Sequence, residues 1–353
     1  MLGNTSKPIS AFLIFAGLGG TLSASAAIET LSCGNFNISF YGSGDQLSSA
    51  HYGNYTGAQD WSEEMRNCVE RSLNYWNSLI TTEATERVEI VFIWEDLGPR
   101  TLGGAADAWY FDPYSGLTLS GAEATLRNTS GTGNLYNYSS NETRALVVLS
   151  KDADYYYGES TSGIRSNQYD LQSVLTHEIG HIMGFNTLCT ETGWRVLNTL
   201  EASFALITTF DSLIASKDGS GEVTNLFEAQ DVAAVPGWTA YSATETYAPG
   251  KEYFLKVGET ELSFLEVYNP ALHDDGSSMA HLETAEGRDG DALMYYAIGN
   301  GTIRRELNEH ELLLLEAMGW TLAAIPEPSS FGLLAGSLAV VMATGRRRRR
   351  IKA

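Results

Sequence analysis

Apolar and polar positions first alternate and then recur at three and four along this chain. "FNISFYG" (36–42) alternates as a half-buried strand does. In "DWSEEMRNCVERSLNYWNSLI" (60–80), Met65, Cys68, Leu73, Trp76, Leu79 and Ile80 share one helical face, with Asp60 or Ser62 as the cap. "RVEIVFIW" (87–94), "ADAWYF" and "ALVVLS" (145–150) read as strands divided by glycine- and asparagine-rich turns. "YDLQSVLTHEIGHIMG" follows as a helix whose apolar face is Leu171, Val174, Leu175, Ile179 and Ile182. Residues 198–214 also pattern as a helix, loop-rich sequence runs to about residue 300, and "NEHELLLLEAMGW" (308–320) closes with an amphipathic helix. No fixed-period repeat interrupts this order, which describes an α+β protein divided by a cleft.

The two ends pattern differently. Residues 1–26 carry one lysine, an apolar run from Ile9 to Leu18 and an Ala24-Ser25-Ala26 exit, the layout of a secretory signal peptide. At the other end, an apolar segment from Phe331 to Gly345 meets five arginines, Arg346 to Arg350. Positive charge on that flank holds it in the cytoplasm, so 331–345 reads as a transmembrane segment. With Pro326-Glu327-Pro328 before it, the tail (323–353) resembles the PEP-CTERM sorting signal of bacterial exported proteins. That resemblance implies export, temporary anchoring in the inner membrane, and processing by a sorting protease toward the cell surface or extracellular matrix.

Charge sharpens once these ends are set aside. The chain carries 22 basic and 43 acidic side chains, a net of -21; the ends hold seven of the former and one of the latter, leaving a body at -27. Such a body repels nucleic acid and anionic membranes, so nucleic-acid partners are excluded. Cys33, Cys68 and Cys189 allow at most one disulfide in an exported protein, with Cys33–Cys68 the expected pair.

The chemistry concentrates in "THEIGHIMGF" (176–185). A four-residue step rises about 6 Å and turns about 40° past one full turn, so His177 and His181 project from one face. Two neutral imidazoles held this way are half of a tetrahedral Zn2+ site, and Glu178 beside them suits a general base. A helix that merely carries two polar residues is the plain alternative; the export signal and Gly184 at the turn favour the metal reading.

A third ligand must come from elsewhere, because Thr187 occupies the place of the third histidine in the compact metzincin pattern. His51 and His310 read as loop and solvated side chains. "GSSMAHL" and "ALMYYAI" carry His281 and Met294, and with the HExxH helix they resemble the leishmanolysin-like metzincins, over roughly residues 60–322. The resemblance implies His177, His181 and His281 as zinc ligands, Glu178 as general base and Met294 as an apolar floor beneath them. It further implies a twisted mixed sheet and active-site helix above the cleft (27–185), and a loop-rich lower subdomain ending in a helix (186–322). The hundred residues between His181 and His281, and Tyr295-Tyr296 after the methionine, depart from that pattern. Glu201, twenty residues after His181, has the spacing of a gluzincin ligand; Asp211, His273 and Cys189 are further candidates. Tyr296 could face a developing oxyanion. Asp218 and Glu222 in "SKDGSGE" could hold calcium, but a surface turn accounts for them.

The expectation is an exported zinc metalloendopeptidase acting on a protein or peptide strand added to a sheet edge. Its rivals are a non-catalytic surface or matrix protein that keeps a zinc-bound scaffold, a gluzincin-type zinc hydrolase using Glu201, and a zinc hydrolase acting on a non-peptide bond.

Overall fold

A computed structural model describes residues 28–49, 53–98, 101–127, 136–137, 144–198, 203–232, 239–257, 264–283 and 292–323. The expected signal peptide, the sorting tail, His51 and Glu201 lie outside the described residues.

The upper half is a five-stranded mixed sheet in the order Glu29–Cys33, Phe36–Tyr41, Val88–Glu95, Arg144–Ser150, Gly103–Ala106. The three central strands are parallel and both outer strands antiparallel to their neighbours. Register aligns Phe40, Phe92, Val147 and Ala105 in one row. Because side chains alternate, Ile38, Phe40, Ile90, Phe92, Trp94, Val147 and Leu149 face the main core. Tyr41, Val91, Ile93, Leu146 and Val148 face the other way, onto Leu47 of the Gln46–Ser49/Gly53–Thr56 hairpin. Burial on both faces explains why Val88–Glu95 and Arg144–Ser150 read as largely continuous apolar runs, while Phe36–Tyr41 alternates.

Helix α1 (Glu63–Leu79) begins at Ser62, whose Oγ accepts the Met65 amide at 3.3 Å, with Glu63 and Glu64 in the first turn. Its buried face of Cys68, Val69, Leu73, Trp76 and Leu79 packs against the sheet and helix α3. After the short α2 (Gly121–Leu126), α3 (Leu171–Ile182) starts at Asp170, which accepts the Ser173 amide at 2.9 Å. Trp76 Nε1 donates to Thr176 O at 3.1 Å and Ser72 Oγ to Gln172 O at 3.2 Å, fixing α3 against α1. Asp170 is fully buried and bound by Arg305 at 2.6 and 2.8 Å, so the cap is also an ion pair to the C-terminal part of the chain.

The lower half corrects one expectation. Residues 198–214 are not a helix: the described parts form strands Val196–Asn198 and Ser203–Ala205, a 3₁₀ turn at Asp211–Leu213 and strand Ile214–Lys217. Leu206 to Asp211 are six consecutive buried residues, a pattern no amphipathic surface helix provides. The stretch expected to be loop-rich also carries sheet: Ile214–Lys217 pairs with Val223–Asn225 and Tyr253–Lys256, which pairs with Phe264–Val267, while Thr239–Ala243 pairs with Phe227–Asp231. Helix α4 (Glu309–Ala317) is the last described helix, and just beyond it Trp320 Nε1 donates to Met183 O at 3.0 Å while Leu322 bridges to Ile80, tying this end to α3 and α1. The class is therefore α+β, with fewer helices and more sheet than the sequence pattern suggested.

The cysteines correct a second expectation. Cys33 Sγ donates to Asn74 Oδ1 and Cys68 Sγ to Tyr157 O, each at 3.3 Å, and all three thiols are free. Cys68 is committed to the core face of α1, whereas Cys33 ends an outer strand, so the expected pair does not form.

Candidate metal centre

Helix α3 presents His177 and His181 on one face, and the segment after Phe264–Val267 brings His281 to them. The three Nε2 atoms form an equilateral triangle 3.1 Å on a side. Each ring's other nitrogen meets a backbone carbonyl: His177 Nδ1 lies 2.8 Å from Leu293 O, His181 Nδ1 2.5 Å from Phe185 O, and His281 Nδ1 2.9 Å from Ser277 O. A carbonyl only accepts, so Nδ1 carries the proton in all three rings. Burial holds all three imidazoles neutral, pushing His177 down to about 4, His281 to about 3 and His181 well below its ordinary value.

These facts together leave three Nε2 lone pairs converging with no proton among them. They cannot hydrogen-bond to one another; a cation resolves the conflict. Tetrahedral zinc holds nitrogen ligands at 2.0–2.1 Å, hence about 3.3 Å apart, close to the separation here. The residues present fit a divalent ion, and no other group of three histidine, cysteine, aspartate or glutamate side chains among the described residues could hold one.

Glu178 is buried beside the triangle, and burial pushes its carboxyl up to about 8. A cation among the imidazoles acts in the opposite direction, favouring the carboxylate. The outer strand Gly103–Ala106 passes close over this group: a Cβ on Gly103 would stand 2.8 Å from Glu178 Oε1. Tyr155 anchors the strand's approach by donating to Leu102 O at 2.6 Å.

Met294 is wholly buried beneath α3, where a Cβ on Gly180 would come within 2.5 Å of its sulfur. It does not join the nitrogen triangle. Gly184 ends α3 at φ +107°, a conformation open to glycine, and a Cβ there would lie 2.9 Å from Glu123 and from Met318. The turn it makes returns Phe185 O to His181. Ahead of His281, Met279 holds φ +65° with its side chain wholly buried, the one non-glycine residue in this region among those described. Its amide donates to Tyr268 O, and the Tyr268 amide donates to His281 O, so the third arm is tied to the lower sheet.

The remaining candidates are occupied elsewhere. Asp211 accepts Thr187 Oγ1 at 2.5 Å and the Leu188 and Thr208 amides, fastening the chain that leaves α3. His273 Nδ1 meets Tyr247 Oη at 2.9 Å, and Cys189 Sγ donates to Thr190 O. His310 lies beside Glu309 on α4. Tyr296 stacks on Tyr268 with ring centroids 3.9 Å apart, and Asp218 Oδ1 closes an exposed turn by accepting the Ser220 and Glu222 amides. Glu311 and the Asp170–Arg305 pair are functional groups that the sequence pattern does not single out. Only the Asn308-x-x-Glu311 capping spacing hinted at the former, and nothing local at the latter.

Comparison with protein-family models, curated proteins and solved structures finds no match to this chain.

Proposed function

We propose that the chain is a zinc-dependent endopeptidase of the metzincin type, with His177, His181 and His281 as the metal ligands. The observation that carries this reading is the triangle of Nε2 atoms whose protons are all committed to carbonyls on the far side of each ring. When bound, zinc supplies an electrophile for the scissile carbonyl and acidifies water. Glu178 is the group beside it able to take a proton from the attacking water and deliver it to the departing amine. The Gly103–Ala106 strand, last in the sheet order among the described residues and with Glu178 close by, can hold an extended peptide by strand addition. Met294 would serve as the floor, filling space beneath α3 under the ligands. His281 favours this reading over the gluzincin one, since it completes the triangle without Glu201. Residues 1–26 and 323–353 fit the same proposal, an exported enzyme anchored in the inner membrane until its tail is processed.

Cleavage of unfolded casein by the purified protein, with and without a zinc chelator, tests this. Chelator-sensitive hydrolysis is expected, and Glu178→Ala should keep the metal while losing about two to four orders of magnitude in rate. Zinc bound with no cleavage of any peptide would favour the non-catalytic surface protein instead.

A further inference from the structure

Each ring of the triangle is oriented by a carbonyl, but one of those carbonyls is itself gripped from behind. His177 Nδ1–H donates to Leu293 O at 2.8 Å. The same peptide unit carries the Met294 N–H, which donates to Glu311 Oε1 at 2.6 Å. The preceding amide, Leu293 N–H, donates to Glu311 Oε2 at 3.0 Å. Glu311 lies on the first turn of α4, wholly buried, 130 positions along the chain from α3's last histidine. One carboxylate therefore clamps both amides of the Leu293–Met294 turn, and the carbonyl at the turn's other side holds the ring.

We propose that Glu311 is a positioning residue for the metal centre, acting on His177 through the single peptide unit between Leu293 and Met294. Drawing on that N–H polarises the amide and makes Leu293 O a stronger acceptor. The ring is then held as the Nδ1–H tautomer, with Nε2 the more basic donor. Metal-bound histidines are usually backed directly by a carboxylate or carbonyl; here the carboxylate works from one peptide farther away. The same clamp sets Met294 O, which accepts the Leu282 amide at 2.9 Å next to His281, so a second ligand's neighbour depends on it. The inference rests on the metal reading for its consequence, while the hydrogen bonds it describes involve protein atoms alone.

A purely structural role is the competing account, because Glu311 also closes the α4 capping box by accepting the Asn308 amide at 2.9 Å. Glutamine serves in a capping box as well as glutamate does, but it has one acceptor oxygen where Glu311 uses two. The test uses the full-length chain labelled with ¹⁵N-histidine. Stripped of metal, it reads His177 tautomer and Nδ1–H exchange; titrated with zinc, it reads affinity, each in wild type, Glu311→Gln and Asn308→Ala. Expected for Glu311→Gln are about tenfold faster exchange and about tenfold weaker zinc binding. Asn308→Ala, which removes the cap alone, should lower the thermal midpoint and leave both readouts at wild-type values. Wild-type exchange and affinity in Glu311→Gln, or equal shifts in Asn308→Ala, would overturn the proposal. If the wild type binds no zinc, the metal reading falls and the exchange comparison alone decides this one. Should Glu311→Gln not fold, Glu311→Asp, with both oxygens on a shorter stem, carries the same comparison.

Discussion

Two parts of the molecule supply the nitrogen triangle by opposite means. Helix α3 delivers His177 and His181 through local periodicity, four residues apart on one stripe, and any sequence that forms the helix brings them together. The third arm, whose described parts are residues 268–283 and 292–294, has no helix or long strand among those described residues to set its geometry. It is held by amide contacts from Tyr268, Met279 and Leu282, by a buried left-handed Met279 and by Glu311 arriving from α4. The difference teaches where a metal centre is robust. A pair on a helix survives many changes around it, whereas a ligand on an irregular segment depends on groups far away in sequence.

That comparison can be pressed from α3's own ends. Arg305→Met attacks the start of the helix, leaving the buried Asp170 carboxylate without its cation and the Gly158 and Glu159 carbonyls without their donor. Removing one partner of a buried pair costs about 3–5 kcal/mol, so chemical denaturation should show a loss of that size. Because both histidines ride on the helix, zinc should be lost with the fold and not before it. An unchanged stability would mean that the pair contributes nothing to setting α3.

Gly184→Ala attacks the other end. A left-handed alanine costs about 1–2 kcal/mol, and its Cβ must displace both Glu123 and Met318 as well. Destabilisation of about 2 kcal/mol is expected, with weaker metal binding because Phe185 O, the acceptor for His181, sits just beyond the turn. Stability within a few tenths of wild type would show the turn to be adaptable.

This contrast also explains what was legible in the sequence. The central strands could be read from their alternating or continuous apolar runs, and α1, α3 and α4 from the spacing of their apolar residues, each feature being local in the chain. His177, Glu178 and His181 could be read because their arrangement is local. His281 and Met294 came only through resemblance, and the structure does bring His281 to the pair and Met294 beneath α3. Residues 198–214 depart from the helical pattern because Leu206–Asp211 is buried throughout, its polar Thr208, Thr209 and Asp211 included, and burial of polar groups through tertiary hydrogen bonds leaves no periodic signal. Asp211 shows why: its carboxylate accepts the Thr208 amide and holds the chain in a tight turn, a tertiary commitment with no periodic trace. The cysteine pairing failed for a similar reason, since spacing says nothing of which way two thiols point. Glu311 could be read as a cap, but not as the clamp on a turn seventeen residues before it.

The central claim is that three imidazoles hold one divalent ion, with the third supplied by the long-range arm. Zinc stoichiometry by native mass spectrometry, across wild type, His281→Ala and Glu201→Ala, tests it most directly. One zinc per chain is predicted for wild type and for Glu201→Ala, and none retained by His281→Ala under conditions where that variant remains folded. A wild type without metal, or a His281→Ala protein that keeps its full complement, would contradict it.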